Sequence, residues 1–216
     1  MNTSPKFLKT YAAIGALLGW FAIAGQLYLS VTTRTIPLGE LLLRFIGYFT
    51  ITTNTLAALT FTAFWLPRDT RLGRLFRKAE SVFAITVFII VVGVIYNLIL
   101  RFLWEPKGLQ LVVDELLHTI QPLVFVLFWI LFIPKRGLKI KAFNPWMIYP
   151  LIYILYVITL GLFTGHYPYP FADAELLGYP KALLNGAAML GGFWVLAWLL
   201  LGVTQLRKEK LSRQPE

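Results

Sequence analysis

Six long apolar runs, joined by short polar loops, constrain this chain more than any other feature. They cover about Tyr11–Leu29, Leu38–Leu66, Val82–Trp104, Asp114–Ile133, Trp146–Phe163 and Ala182–Gln205. Each approaches the ~20 residues with which an α-helix crosses a bilayer core. The second is long enough to tilt or to run past the core. No domain-sized soluble stretch remains. The expected fold is all-α: one six-transmembrane-helix bundle over residues 1–206, followed by a basic tail at 207–216.

Composition agrees. Hydrophobic residues make up 58% of the 216 and charged residues only 14%, far from the usage of soluble globular domains. The net charge of +10 would suit nucleic acid if it were concentrated on one surface. It falls instead in short clusters between apolar runs, so the expected partner is a lipid bilayer and no nucleic acid. There are no cysteines, which excludes disulfides and thiol nucleophiles, and only two histidines, His118 and His166, too few for a three-histidine metal site. No metal and no cofactor is expected.

The basic residues also predict orientation. Lys6 and Lys9, the cluster Arg68, Arg71, Arg74, Arg77 and Lys78, the cluster Lys135, Arg136, Lys139 and Lys141, and the tail residues Arg207, Lys208, Lys210 and Arg213 account for fifteen of the twenty. Six spans put all of them on one side, so both termini are expected in the cytoplasm of a multi-pass plasma-membrane protein. A competing reading takes Lys6, Lys9, the first apolar run and Ala22-Ile23-Ala24 as a signal peptide with its cleavage site. The run continues past that site, which favours a span.

Polar residues inside apolar runs carry the functional signal, because burying them in a bilayer is costly. Arg44 follows Glu40 by four residues, on one helix face; it reads either as a snorkelling arginine with its glutamate or as a cation that attracts an anionic group. In GYFTITTNT (47–55), helical periodicity places Thr50, Thr53 and Asn54 on one face with Gly47 and Ala57, suited to close packing or to a cavity wall. Thr52 and Thr55 point elsewhere and are expected to bond to carbonyls four residues back. Asn97 and Arg101 share a face of the third run, either lining a cavity or acting as helix glue and snorkelling cation. Gly15 and Gly19 form a GxxxG, and residues 185–192 are rich in small side chains; both are expected to pack helices.

The fourth run opens with Asp114 and Glu115, then His118, Gln121 and Pro122. Either carboxylate can orient the histidine ring, which makes His118 a candidate general base. Pro122 lacks an N–H and so frees the carbonyl of His118. The segment HYPYPFADAELLGYP (166–180) is stiff and aromatic, suited to the outer interface or to capping a cavity.

The stretch Arg44 to Asn54, Tyr96 to Arg101, Asp114 to His118 with Pro122, and Tyr167 to Phe171 together resemble the bacterial six-span relatives of the androgen-induced-gene family. That family hydrolyses fatty acid esters of hydroxy fatty acids with an intramembrane threonine and histidine. The resemblance implies Thr50 as nucleophile, His118 as base and a membrane lipid or fatty acid ester as substrate. Asp114 or Glu115 would hold the histidine, and Asn54, Asn97 or Arg101 would stabilise the oxyanion. Thr50 lies 11 residues past Gly39, about 16 Å deep, and His118 only four past Asp114, about 6 Å; the two meet if the fourth helix begins near Gln110. The rival readings are a transporter or channel, a metal-dependent hydrolase on His118 with Asp114 or Glu115, and a non-catalytic lipid-binding protein.

Overall fold

The computed structural model describes residues 4–66, 69–103 and 105–212, with side chains described as far as Val203. Arg68, Trp104, the tail from residue 213 and the side chains of Arg207, Lys208 and Lys210 lie outside the described residues. Every described element is helical: α1 Pro5–Thr32, α2 Leu38–Ile46, α3 Phe49–Trp65, α4 Arg71–Phe76, α5 Ala79–Leu98, α6 Leu109–Glu115, α7 Gln121–Phe132, α8 Ile148–Thr164, α9 Ala174–Leu177 and α10 Tyr179–Ser212. A π-helical turn, Leu116–Ile120, joins α6 to α7.

Five helical stretches among the described residues, not six, are long and apolar enough to cross a membrane. The difference lies in the second apolar run. It breaks at Gly47 and Tyr48 into α2 and α3, and α3 alone, with 17 residues, reaches about 25 Å at 1.5 Å per residue. The break also removes Gly47 from the face of Thr50, Thr53 and Asn54, because Gly47 caps α2 while α3 begins only at Phe49.

The bundle is organised around α5. All eight residues from Val82 to Ile89 are 0% exposed, which is the signature of a helix apolar on every side and enclosed by others. The helix α1 packs on α3 through a stripe of small residues, Ala12, Gly15, Ala16, Gly19 and Ala22. Small residues let backbones approach where no hydrophobic force separates helix from lipid. The aromatic ring of Phe61 covers Gly15, and Ala58 lies against Gly19. Gln121, 0% exposed, crosses the same contact and donates from Nε2 to the Gly15 carbonyl at 3.1 Å. The outer faces remain apolar, with Phe102, Phe163, Trp198 and Leu199 all exposed.

Both α1 and α5 run antiparallel to the α6–α7 stretch. Near its start α1 reaches α7 through Tyr11, whose hydroxyl donates to the Val124 carbonyl at 2.9 Å; near its end, Gln110 in α6 donates to Gln26 at 2.9 Å. Phe83 meets Trp129 while Arg101 meets Glu115, so α5 opposes α6 and α7. The bundle therefore has two distinct ends. One gathers the start of α1, the α4 segment and the connection from α7 to α8, with Lys6, Lys9, Arg71, Arg74, Lys139 and Lys141. The other gathers α2, α6, the YPYPF loop and α9.

The glycine contacts give a differential test. A Cβ on Gly15 would meet the Phe61 ring at 2.7 Å, whereas one on Gly191 meets nothing within 4 Å. Gly15→Ala is expected to cost about 1–3 kcal/mol through overpacking and Gly191→Ala to leave stability unchanged, read as thermal unfolding of the detergent-solubilised protein.

Candidate functional site

A cavity of about 330 Å³ opens at the end opposite the basic loops. Its walls come from the end of α1 (Gln26, Ser30), the α2–α3 junction (Phe45, Tyr48, Thr50, Ile51), the end of α5 (Tyr96, Leu100), the α6 region (Gln110, Asp114, Leu117, His118) and the loop residues Pro168, Tyr169 and Pro170. A second cavity, of about 220 Å³, lies at the basic end, lined by Leu59, Thr62, Leu66 and Phe76 among others. The two share no lining residue, and Phe61, Phe125 and Phe128, each 0% exposed, fill the bundle core.

Thr50 and His118 both line the first cavity. Because α6 begins at Leu109, His118 lies nine residues into helical structure rather than four, and it reaches the same cavity as Thr50.

His118 sits within the π-helical turn. That turn carries one extra residue, so the Gln121 N–H bonds back to Leu116, and the carbonyls nearby lose their ordinary partners. Two asparagines replace them. Asn54, from α3, donates to the Leu117 carbonyl at 3.0 Å. Asn97, from α5, donates to the His118 carbonyl at 3.2 Å, the group freed by Pro122. The imidazole Nδ1 lies 3.0 Å from the Asp114 carbonyl and 3.2 Å from Asp114 Oδ1. Both oxygens only accept, so Nδ1 carries the proton and Nε2 of the neutral ring keeps its lone pair. Tyr96 donates to the other Asp114 oxygen and stacks on the imidazole, with centroids 4.1 Å apart at 15°. Asp114, 3% exposed, thus has both oxygens occupied.

Thr50 stands in the first turn of α3, 8% exposed. The α2–α3 break places this helix start inside the bundle, where its first N–H groups have no partner in the preceding turn. The Tyr48 side chain does not cap it. The hydroxyl of Tyr169 stands beside that helix start, near Thr50 and Phe49. Its ring is fixed edge-on to Tyr48 at 6.2 Å and stacked on Phe171 at 5.2 Å. Burial pushes the Tyr169 phenol up from its ordinary value, so the hydroxyl keeps its proton at neutral pH. On the α2 side of the break, Tyr153 donates to the Gly47 carbonyl at 2.8 Å and Tyr156 to that of Leu43 at 2.8 Å.

The remaining predicted residues separate by role. The two carboxylates divide: Asp114 orients His118, while Glu115 pairs with Arg101, which also donates to Thr119 at 3.3 Å. Thr53 is no cavity wall. It is 0% exposed and its hydroxyl meets that of Tyr149 at 2.8 Å, a bond that Thr52 shares at 2.7 Å. Thr55 bonds to the Ile51 carbonyl four residues back, as expected. Asn54 and Asn97 have their amide donors on backbone carbonyls, and Arg101, paired with Glu115 and Thr119, does not line the cavity, so none of the three presents itself as an oxyanion donor. Arg44 pairs with Glu40 at 2.5 Å. His166 packs edge-on against Tyr48 at 6.3 Å, and burial together with the Arg44 charge holds its pKa below the usual histidine value. Tyr169, Tyr96 and the two asparagine caps have no local sequence signal, since each acts on a partner far along the chain.

The Asn97 cap has a measurable worth. Asn97→Leu is expected to lower stability by about 1–2 kcal/mol, the range for hydrogen bonds between membrane helices. In a Pro122→Ala background, where residue 122 regains an N–H for the His118 carbonyl, the same substitution costs less; a double-mutant cycle on thermal unfolding measures the difference.

No family model matches the chain, and neither does any curated protein or solved structure.

Proposed function

We propose that this chain is an integral-membrane lipid ester hydrolase of the kind its motifs resemble, with Thr50 as nucleophile and His118 as base. The observation that carries the reading is the shared cavity: Thr50 and His118, 68 positions apart in the sequence, line one pocket, and the histidine has its Nδ1 proton committed to Asp114. That leaves Nε2 as the proton acceptor, and a threonine hydroxyl needs one to become nucleophilic.

The reaction runs as acyl transfer. His118 Nε2 takes the proton from Thr50 Oγ1 as the oxygen attacks the ester carbonyl. The tetrahedral intermediate collapses, the departing alkoxide takes that proton, and an acyl-threonine remains. Water, deprotonated by the same nitrogen, releases the acid. Asp114 keeps the imidazole in the right tautomer and offsets its charge when protonated, the logic of a catalytic triad, and Tyr96 holds Asp114. The wall of Phe45, Ile51, Leu100 and Leu117 suits acyl chains.

The same reading sets the protein in the membrane. Six crossings, with the second apolar run contributing α2 and α3 together, put the basic end in the cytoplasm under the positive-inside rule. The cavity then faces the extracytoplasmic side, where a lipid substrate enters from the outer leaflet of a bacterial inner membrane. A transport path is less well supported, because the cavity at this end shares no wall with the one at the basic end.

The test is covalent. A fluorophosphonate probe applied to the purified protein is expected to leave its adduct on Thr50, located by mass spectrometry, and labelling is expected to vanish in Thr50→Ala and to fall sharply in His118→Ala. Asp114→Asn should lower kcat on a medium-chain p-nitrophenyl ester by about 10²- to 10⁴-fold. Labelling that persists unchanged in both alanine variants overturns the assignment.

A further inference from the structure

We infer that Tyr169, in the YPYPF loop, is a third catalytic residue: its hydroxyl donates the hydrogen bond that stabilises the oxyanion formed when Thr50 attacks. This rests on the hydrolase reading and adds to it a group from a segment that the Thr50–His118 pair leaves without a role.

Three observations carry it. Tyr169 lines the cavity with Thr50 and His118, and the same three residues line a smaller pocket as well; its hydroxyl stands near Thr50. Its ring is held edge-on to Tyr48 at 6.2 Å and stacked on Phe171 at 5.2 Å, and its O–H can donate to an oxygen bound in the cavity. Finally, the other candidate donors for the oxyanion are placed elsewhere: Asn54 bonds to the carbonyls of Thr50 and Leu117, Asn97 to those of Gly93 and His118, and Arg101, paired with Glu115 and Thr119, does not line the cavity.

In the resting site the phenolic hydroxyl stands near Thr50. When an ester carbonyl is bound at Thr50, its oxygen takes a position beside the same hydroxyl. As Oγ1 bonds to the carbonyl carbon, the π-electron pair moves onto that oxygen and the Thr50 proton moves to His118 Nε2. Tyr169 keeps its proton throughout and donates only a hydrogen bond, strongest when the oxygen is anionic. Such a donor acts on the transition state more than on bound substrate, and its removal lowers kcat rather than raising KM.

Tyr169→Phe deletes the hydroxyl and keeps the ring against Tyr48 and Phe171. With a p-nitrophenyl ester, kcat is expected to fall by about 10²- to 10³-fold, the cost of losing one oxyanion donor. KM should stay within about twofold, and the unfolding temperature should stay near that of the unmodified protein. A companion variant, Phe171→Leu, loosens the loop by removing the stacked ring and keeps the hydroxyl; it is expected to lower the unfolding temperature while kcat stays within about threefold. An unmodified protein that hydrolyses the ester alongside a Tyr169→Phe variant of equal kcat overturns the Tyr169 role and leaves the hydrolase reading standing. Equal losses of kcat in Tyr169→Phe and Phe171→Leu also overturn it, since the hydroxyl then contributes only through docking of the loop. An unmodified protein that neither turns over the ester nor takes the probe at Thr50 overturns both readings together.

Discussion

The architecture depends on one constraint: a backbone N–H or C=O left unpaired in the apolar interior of a membrane protein costs several kcal/mol. This chain interrupts its helices twice at depth, at Gly47–Tyr48 and at the π-helical turn Leu116–Ile120. Each interruption frees polar backbone groups, and side chains from elsewhere bond to carbonyls at both. Tyr153 and Tyr156 serve the carbonyls of α2, and Asn54 and Asn97 those of the π-helical turn. The candidate site lies between the two interruptions. Its polar side chains thus sit where the fold has already had to supply polar partners, in a bundle whose other half is closed by phenylalanine.

On the proposed hydrolase reading, this arrangement holds a weak nucleophile and a weak base in register. Thr50 is placed by the first turn of α3. His118 is clamped from three sides: Asp114 at its ring nitrogen, Tyr96 on its face and Asn97 at its carbonyl. On that reading, these contacts supply the preorganisation that catalysis in a low-dielectric site requires.

Local features of the sequence were legible and distant ones were not. The apolar runs predicted helices, Gly15 and Gly19 predicted a close helix contact, and Asp114 and Glu115 one turn before His118 predicted a carboxylate–imidazole pair. Pro122 even identified the free carbonyl of His118. All of these follow from periodicity or from a missing N–H within one turn. The break at Gly47–Tyr48 was hidden because glycine is common in membrane helices and tyrosine breaks none; the interruption holds only through Tyr153 and Tyr156, more than 100 positions away. Thr53 read as cavity wall for the same reason, its partner Tyr149 lying 96 positions on. The family resemblance drew attention to Thr50 and His118 but was silent on which carboxylate serves the histidine; only three-dimensional packing separates Asp114 from Glu115.

The π-helical turn has a consequence for the way this segment tolerates change in length. An ideal helix turns about 100° per residue, and the extra residue at Leu116–Ile120 offsets α6 from α7 by that angle. The two halves are therefore read in different phases: α6 aims Asp114 at the cavity while α7 aims Phe125 and Phe128 at the core. Removing a single residue between 116 and 120 would restore an unbroken α-helix and bring both halves into one phase. The aromatic face would keep its packing against α1 and α3, and the whole polar cluster of α6 would swing toward lipid. A chain so shortened keeps its composition, its hydropathy profile and its span count, and loses the alignment on which the site rests.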